Sequence, residues 1–400
     1  MMKWLIWILL PISFNTTAQY LKTGTWRGLI HYFDNQVPFR FEVSYPDGET
    51  PYITFINGKE KRVVNQVSRK GDSILILITP FDVEISASFT ATSMSGSYTK
   101  HYRNVSYPFS ASFGKPRMIR RSIKPSPKVE ETWAMIFEEG TVNESKGVGL
   151  FKQIGEIMTG TVMTKVSDYR YFEGILDGDS IKLSCFDGAH AFLIKGKKSE
   201  GIWKGEMVFD DGYIEAWVGT PDANASIESP FEIVNLNKGE HKPYFDLLAA
   251  GSGKDIIDPS KYQNKVLVIQ LFGTWCPNSH DQTKYLVDWY REHKDLGVEI
   301  LASSYEANYS QEYGLRRINE YKVANDIPYE VVLGGGLSKS SAAMPFPFMD
   351  RIEAFPTLVI VDKEGYARYV HSYFNGPATG PYYDQFDQRF NEIIRKLVSE

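Results

Sequence analysis

The run Leu271-Phe272-Gly273-Thr274-Trp275-Cys276-Pro277-Asn278-Ser279 decides how this chain is read. Upstream of it, Lys265 to Phe272 (KVLVIQLF) is a continuous apolar stretch of the kind that forms a strand buried on both faces. Downstream, Ser279 to His293 carries Tyr285, Leu286, Trp289 and Tyr290 at helical spacing. Cys276 therefore stands where a strand gives way to a helix. Its sulfur lies near the first free N–H groups and the positive end of the helix dipole, which favour thiolate over thiol. Pro277 suits the first helical turn, where its missing N–H is no loss. These are the conditions for a nucleophilic cysteine; the plainer alternative is an inert, packed one.

Working outward, Val298 to Ala302 reads as a second strand and Leu315 to Val323 as a second helix. Thr357 to Val361 and Ala367 to Tyr373 read as strands flanking the turn Asp362-Lys363-Glu364-Gly365. A last helix, Tyr382 to Val398, sets Phe386, Phe390, Ile393, Ile394 and Leu397 on one face. Alternating strands and helices predict an α/β sheet covered on both faces, over residues 230–400. The turn-rich join Thr220-Pro221-Asp222-Ala223-Asn224-Ala225-Ser226 marks its upstream limit.

Before that join the grammar is strand after strand. Phe39 to Val43, Tyr52 to Ile56 and Ile74 to Ile78 are separated by hairpin pairs such as Asp47-Gly48 and Asn57-Gly58. The region also echoes itself. Thr25-Trp26 returns as Thr132-Trp133, and Gly71-Asp72-Ser73-Ile74 as Gly178-Asp179-Ser180-Ile181, both 107 residues on. Phe81-Asp82 and Met94-Ser95-Gly96 have weaker echoes in Phe186-Asp187 and Trp203-Lys204-Gly205. Two related β units are expected, residues 20–114 and 132–225, each a barrel or sandwich or each half of one. Residues 115–131 between them hold three prolines and six basic residues, and read as a solvated connector rather than an anionic docking strip. The whole is an α+β multidomain chain: an all-β N-terminal region, then an α/β domain.

A second motif lies at Glu353-Ala354-Phe355-Pro356-Thr357, before the Thr357 strand. Trp-Cys-Pro-x-x, then Phe-Pro-Thr about eighty residues later and a Val-Asp-x-x-Gly hairpin, resembles a thioredoxin fold. More narrowly it is similar to the exported thioredoxin-like TlpA proteins, related to AhpC/TSA peroxiredoxins and common in Bacteroidetes. Phe374 to Gly380 and the Phe186-Asp187-Gly188-Ala189-His190-Ala191-Phe192 run also look like that group. The resemblance implies that Cys276 is the attacking thiol, shielded by Trp275 and followed by Pro277. It implies that Pro356 is a cis-proline whose neighbours Phe355 and Thr357 border a groove for a partner's extended chain. The chain departs from the family at the fourth motif position, where Ser279 replaces a second cysteine that would expel the product. Gln270 and Gln282 stand where the family keeps acids.

Composition narrows the rest. The chain has 400 residues, 23% of them charged, and a net charge of −5, so it offers no electrostatic footprint for nucleic acid. Two cysteines cannot build a disulfide framework, and seven scattered histidines give no zinc spacing; neither a metal nor another cofactor is expected. Lys3 followed by Trp4 to Leu10 and Thr16-Thr17-Ala18 predicts an export signal over residues 1–19, hence a periplasmic protein without a membrane segment after cleavage. No cysteine precedes Cys185, so no acyl anchor on an N-terminal cysteine is expected. Cys185 reads as a small buried hydrophobe and His190 as a turn residue, while His280 reads equally as a thiolate partner or a surface side chain.

Three functions remain. A monothiol can exchange with protein or small-molecule disulfides, an external thiol resolving the adduct. A degenerate thioredoxin fold can hold an extended partner beside Pro356. A lone thiol can also report peroxide as a sulfenic acid.

Overall fold

The structure, a computed structural model, describes residues 20–118, 128–166, 168–237, 241–253, 257–308 and 310–400. The expected export signal and residues 119–127 of the connector lie outside the described residues. No helix among the described residues is long and apolar enough to cross a membrane.

The first unit has nine antiparallel strands: β1 Gly24–Tyr32, β2 Asn35–Ser44, β3 Tyr52–Asn57, β4 Glu60–Val64, β5 Val67–Lys70, β6 Ser73–Ile78, β7 Val83–Phe89, β8 Ser93–Lys100 and β9 Val105–Phe113. The second has eight: β10 Thr132–Phe137, β11 Ser145–Ile154, β12 Ile157–Thr164, β13 Phe172–Asp177, β14 Ser180–Phe186, β15 Ala191–Ser199, β16 Ile202–Val208 and β17 Ile214–Pro221. Both follow one plan, each strand pairing with its sequence neighbour and the first with the last. In the second the circle is complete and β10 to β17 form a closed barrel; in the first, β1 pairs β9 but the sheet parts between β4 and β5. The echo at 107 residues thus marks a real repeat of plan, with Trp26 in β1 and Trp133 in β10 each fully buried.

Alternation explains the inward faces. In β1 the side chains of Trp26, Ile30 and Tyr32 point in, and in β10 those of Trp133, Met135 and Phe137. Trp133 stacks on Trp203 at 5.1 Å and lies 6.2 Å from Trp217. The rings fit because Gly196 has no side chain; a Cβ there would sit 2.6 Å from the Trp217 ring. At the described ends of the connector Lys115, Pro116, Lys128, Glu130 and Glu131 are exposed, whereas Arg117, Met118 and Val129 are buried. Arg117 is buried and donates to Ser184 O at 2.8 Å, Asn57 Oδ1 at 3.2 Å and Ile56 O, so it ties the first unit to the barrel.

The C-terminal sheet runs β20-β19-β18-β21-β22, with β18 Val266–Phe272, β19 Val298–Glu306, β20 Glu330–Gly336, β21 Thr357–Val361 and β22 Ala367–Ser372. Strands β18, β19 and β20 are parallel, and β21 and β22 antiparallel to their neighbours. Every residue of β18 is buried, as its unbroken apolar run requires. The helices are α1 Phe245–Leu248, α2 Pro277–His293, α3 Gln311–Ala324, α4 Lys339–Ala343 and α5 Pro381–Ser399. Leu286, Trp289, Tyr321, Phe386 and Phe390 bring α2, α3 and α5 to one face; Leu248 and Ala342 bring the short α1 and α4 to the other. Strand β20 was not expected from the sequence, because its Val-Val-Leu core is short and runs into Gly334-Gly335-Gly336.

Candidate functional site

Cys276 caps the N-terminus of α2 in an extended conformation, and Pro277 opens the helix. The backbone positions are those the sequence implied: Cys276 N donates to Gly273 O at 3.1 Å and His280 N to Cys276 O at 3.0 Å. Across from the sulfur lies the loop before β21. Its Phe355–Pro356 peptide is cis, and Cys276 Sγ is 3.9 Å from Phe355 O. Thr357 Oγ1 donates to Ala354 O at 2.7 Å, which closes that loop. Ser279 is fully buried and accepts from Gly273 N at 3.4 Å. The two glutamines that replace expected acids pair with each other, Gln270 Nε2 donating to Gln282 Oε1 at 3.0 Å and to Thr283 Oγ1 at 3.1 Å. Trp275 donates from Nε1 to Tyr305 O at 3.0 Å.

The electrostatics depart from the expectation of a stabilised thiolate. Only 7% of Cys276 is exposed. Burial pushes its thiol up from the ordinary value, outweighing the Ser279 hydroxyl and the Ser279 and Asn278 amides, which pull it down; the Asp187 charge adds to the upward push. The helix terminus acts as the sequence suggested, and desolvation wins. Cys185, in β14, is fully buried among the barrel's core side chains, and burial pushes its thiol well up. Both cysteines are free thiols. His280 is half-buried at the edge of a cleft, and no contact with the Cys276 sulfur is found among the described residues. Its ring packs 5.6 Å from Phe81 and 6.1 Å from Tyr321, and burial pulls its pKa well below the ordinary value. Asp187 accepts from Ala189 N at 2.9 Å and His190 N at 2.7 Å, which gives His190 the turn role read from the sequence.

The β region packs against the residues on either side of Cys276. Asn278 Nδ2 donates to Asp168 Oδ1 at 2.7 Å and to Asp168 O at 3.1 Å. Arg170 donates to Pro277 O at 3.4 Å and pairs with Asp281 of α2, with Glu60 at the start of β4, and at 3.8 Å with Asp187. The buried Tyr102 stacks on Trp275 at 6.2 Å. Burial raises Asp168 to about 6, against the Arg170 charge and the Gly376 and Arg170 amides. A cleft of about 480 Å³ beside α2 is lined by Glu60, Arg62, Arg170, His280, Asp281 and Lys284, at the parted edge of the first sheet. None of Asp168, Arg170, Tyr102 or Glu60 was marked by the sequence, since each lies far along the chain from Cys276 in stretches without a motif.

Comparison with known proteins bears on the C-terminal part. Residues 239–370 match the model of the AhpC/TSA family. No curated protein matches the chain. Among solved structures, the chain is similar to a thiol:disulfide interchange protein of the thioredoxin family from Chlorobium tepidum TLS, at 16% identity and a TM-score of 0.29, over 41% of this chain and 97% of that one. It is also similar to a secreted thiol-disulfide isomerase from Corynebacterium glutamicum, at 15% identity and a TM-score of 0.30, over 44% of this chain and 99% of that one. A DsbF homologue from Corynebacterium diphtheriae is similar at 13% identity and a TM-score of 0.30, over 42% and 98%. With its mixed five-stranded sheet, its cysteine at the head of α2 and its family match over residues 239–370, the C-terminal part of this chain is an AhpC/TSA-family, thioredoxin-like domain.

Proposed function

We propose that the C-terminal domain is a monothiol thiol–disulfide exchange module in an exported, periplasmic protein. The observation that carries this is the placement of one sulfur, Cys276 Sγ, at the head of α2 and 3.9 Å from the carbonyl preceding Pro356, with Ser279 three residues on. The Cys276 thiol loses its proton and the thiolate attacks a disulfide R–S–S–R′. The bond Cys276–S–S–R forms, and R′–S⁻ leaves and takes up the proton. A serine hydroxyl cannot displace R, so an external thiol R″–SH attacks the adduct, giving R–S–S–R″ and restoring Cys276. Trp275 and Pro277 flank the sulfur, and Phe355, Pro356 and Thr357 border the groove that a peptide client would occupy.

A second reading, a catalytically silent domain that holds a partner through this groove and the β region, has one observation in its favour: burial pushes the thiol pKa up. Trapping separates the two. In a Cys185→Ala background, treatment with an excess of a small aromatic disulfide is expected to leave a long-lived adduct on Cys276, found by mass and released by added thiol. Cys276→Ser should abolish it. Ser279→Cys should replace it with an internal disulfide, since i and i+3 in a helical turn are close enough to bridge. No adduct at any pH up to about 9 would leave the silent reading standing.

A further inference from the structure

The exchange reading requires a client at Cys276, yet the described structure leaves that sulfur almost no exposed surface. Around it, residues from another part of the chain grip the C-terminal domain at two separate places. At the first, Asp168 and Arg170 hold the opening turn of α2: Asp168 accepts twice from Asn278, and Arg170 pairs with Asp281 and donates to Pro277 O. At the second, the turn Thr79–Phe81 of the first sheet meets α3. Arg317 Nη2 donates to Thr79 O at 3.0 Å and Pro80 O at 3.1 Å, and Tyr313 OH donates to Asp82 Oδ2 at 2.5 Å. Between the two grips, Tyr102 lies on Trp275.

The character of this contact decides what it is for. The apolar cores of the C-terminal domain are built from its own strands, helices and loops, with Val166 the one described residue of the β region at their margin. Among the described residues, the core that the first sheet shares with the barrel takes in only Trp275 and Ala307 from the C-terminal domain. Apart from these few apolar residues and the ring contacts of Tyr102 with Trp275 and Phe81 with His280, what joins the bodies is ions and hydrogen bonds, closer to the make-up of interfaces that part and re-form than to a shared core. Buried ion pairs of this kind fix one arrangement while adding little net stability, because desolvation offsets their attraction. We infer that the β region is a built-in cover for Cys276, clasped at α2 by Asp168 and Arg170 and at α3 by Asp82, and that the sulfur meets its client only when this cover lifts.

The cover goes beyond the exchange reading, and its test reads access to the sulfur rather than exchange. In the Cys185→Ala background, the rate of Cys276 alkylation by iodoacetamide is measured at fixed pH, native and in urea. The native chain is expected to be protected about 100-fold relative to the unfolded one. Asp168→Ala is expected to raise the native rate about tenfold, and Tyr313→Phe about threefold, each corresponding to one or two lost hydrogen bonds in the clasped form. Circular dichroism of each variant establishes that it is folded. If Asp168→Ala does not fold, Tyr313→Phe, conservative and remote from the sulfur, decides alone. A native rate equal to the unfolded rate, or folded variants whose rate is unchanged, would overturn the cover. A fall in rate would make Asp168 a support for the site and overturn it as well. Rates that rise as expected stand even if no disulfide ever traps on Cys276, so the cover and the exchange chemistry fail separately.

Discussion

In the barrel Thr132–Pro221 every strand finds two partners and the last returns to the first, whereas the sheet Gly24–Phe113 makes the same first-to-last pairing and then parts between β4 and β5. Besides its one extra strand, the first differs by a seam at Asn65-Gln66, and the seam faces the C-terminal domain. Glu60 and Arg62 of β4 line the cleft that also receives His280 and Asp281. On the other side of the seam, β6 leads into the turn that meets α3. The lesson is that a repeated β plan can be spent in two ways. The closed copy completes its own hydrogen-bonded circle and meets its neighbours without pairing a strand to theirs, through Asp168 and Arg170 toward α2 and Phe186 and Leu193 in the core of the first sheet. The parted copy leaves edge groups free to engage a neighbour, and edges left without partners are what proteins must otherwise protect.

The largest expected effect tests the closed copy. Trp133→Ala removes the ring that stacks on Trp203 and approaches Trp217, and should destabilise the chain by about 3–5 kcal/mol. Urea unfolding measures it. A cost under about 1 kcal/mol would mean that the barrel interior collapses around the loss and is not the packed body described.

Next comes the ionic joint between the copies. Arg170→Met leaves Glu60, Asp187 and Asp281 buried without their shared cation, at a cost of about 3 kcal/mol. Adding Asp281→Asn should recover part of that cost, since the two residues share one interaction and their effects should not add. Additive effects in urea unfolding would separate the two groups energetically, whatever their distance.

Much of this was legible beforehand, and the parts that were not have identifiable causes. The junction at Cys276 could be read locally, because a strand's apolar run, a proline at the first helical turn and a helical stripe lie side by side. The repeat could be read from Trp26 and Trp133 and from paired Gly-Asp turns. Its parting at Asn65-Gln66 could not, because hydrophobic alternation is the same in a closed and an open meander. The sign of the thiol shift was not legible for a related reason: the helix dipole is local, whereas burial depends on everything packed around the head of α2, where Asp168, Arg170 and Tyr102 arrive from more than a hundred residues away in the chain. Strand β20 was lost to its three glycines.

The joint should also respond to acid. Burial lifts Asp168 from its ordinary value of 3.8 to about 6, so the docked form binds a proton more readily than the undocked one. That contribution is fully present below about 3.8 and is lost as pH rises through about 6. The groups around it are Arg170, Asp281 and Glu60, with Arg62 beyond. Asp281 is also raised by burial and acts in the same sense. Glu60 is lowered, although burial acts against this, because Arg170 and Arg62 favour its charge. Its contribution is present above its ordinary value and fades only in stronger acid. Between pH 7 and 5 the thermal midpoint should therefore rise by a few degrees, and Asp168→Asn should flatten that rise. A wild-type midpoint that falls over this window would contradict the assignment.

The smallest expected effect separates the site from its cover most sharply. Ser279 donates to the sulfur and pulls the thiol pKa down, so Ser279→Ala removes a local stabiliser of the thiolate and leaves both clasps intact. A hydrogen bond of about 1 kcal/mol corresponds to a factor of about five, so alkylation of Cys276 at pH 8 should slow by that order. The clasp variants should move the same rate in the opposite direction. Their effect comes from how often the sulfur is uncovered, that of Ser279 from how often it is charged. The pH profile distinguishes the two: Ser279→Ala should shift its midpoint upward. Tyr313→Phe should raise the whole curve while leaving the midpoint within about 0.3 of its wild-type position, because brief opening changes access at every pH alike. If both variants shifted the midpoint and neither changed the height, cover and site would be one structure, and the parted sheet would be a support for the thiol rather than its lid.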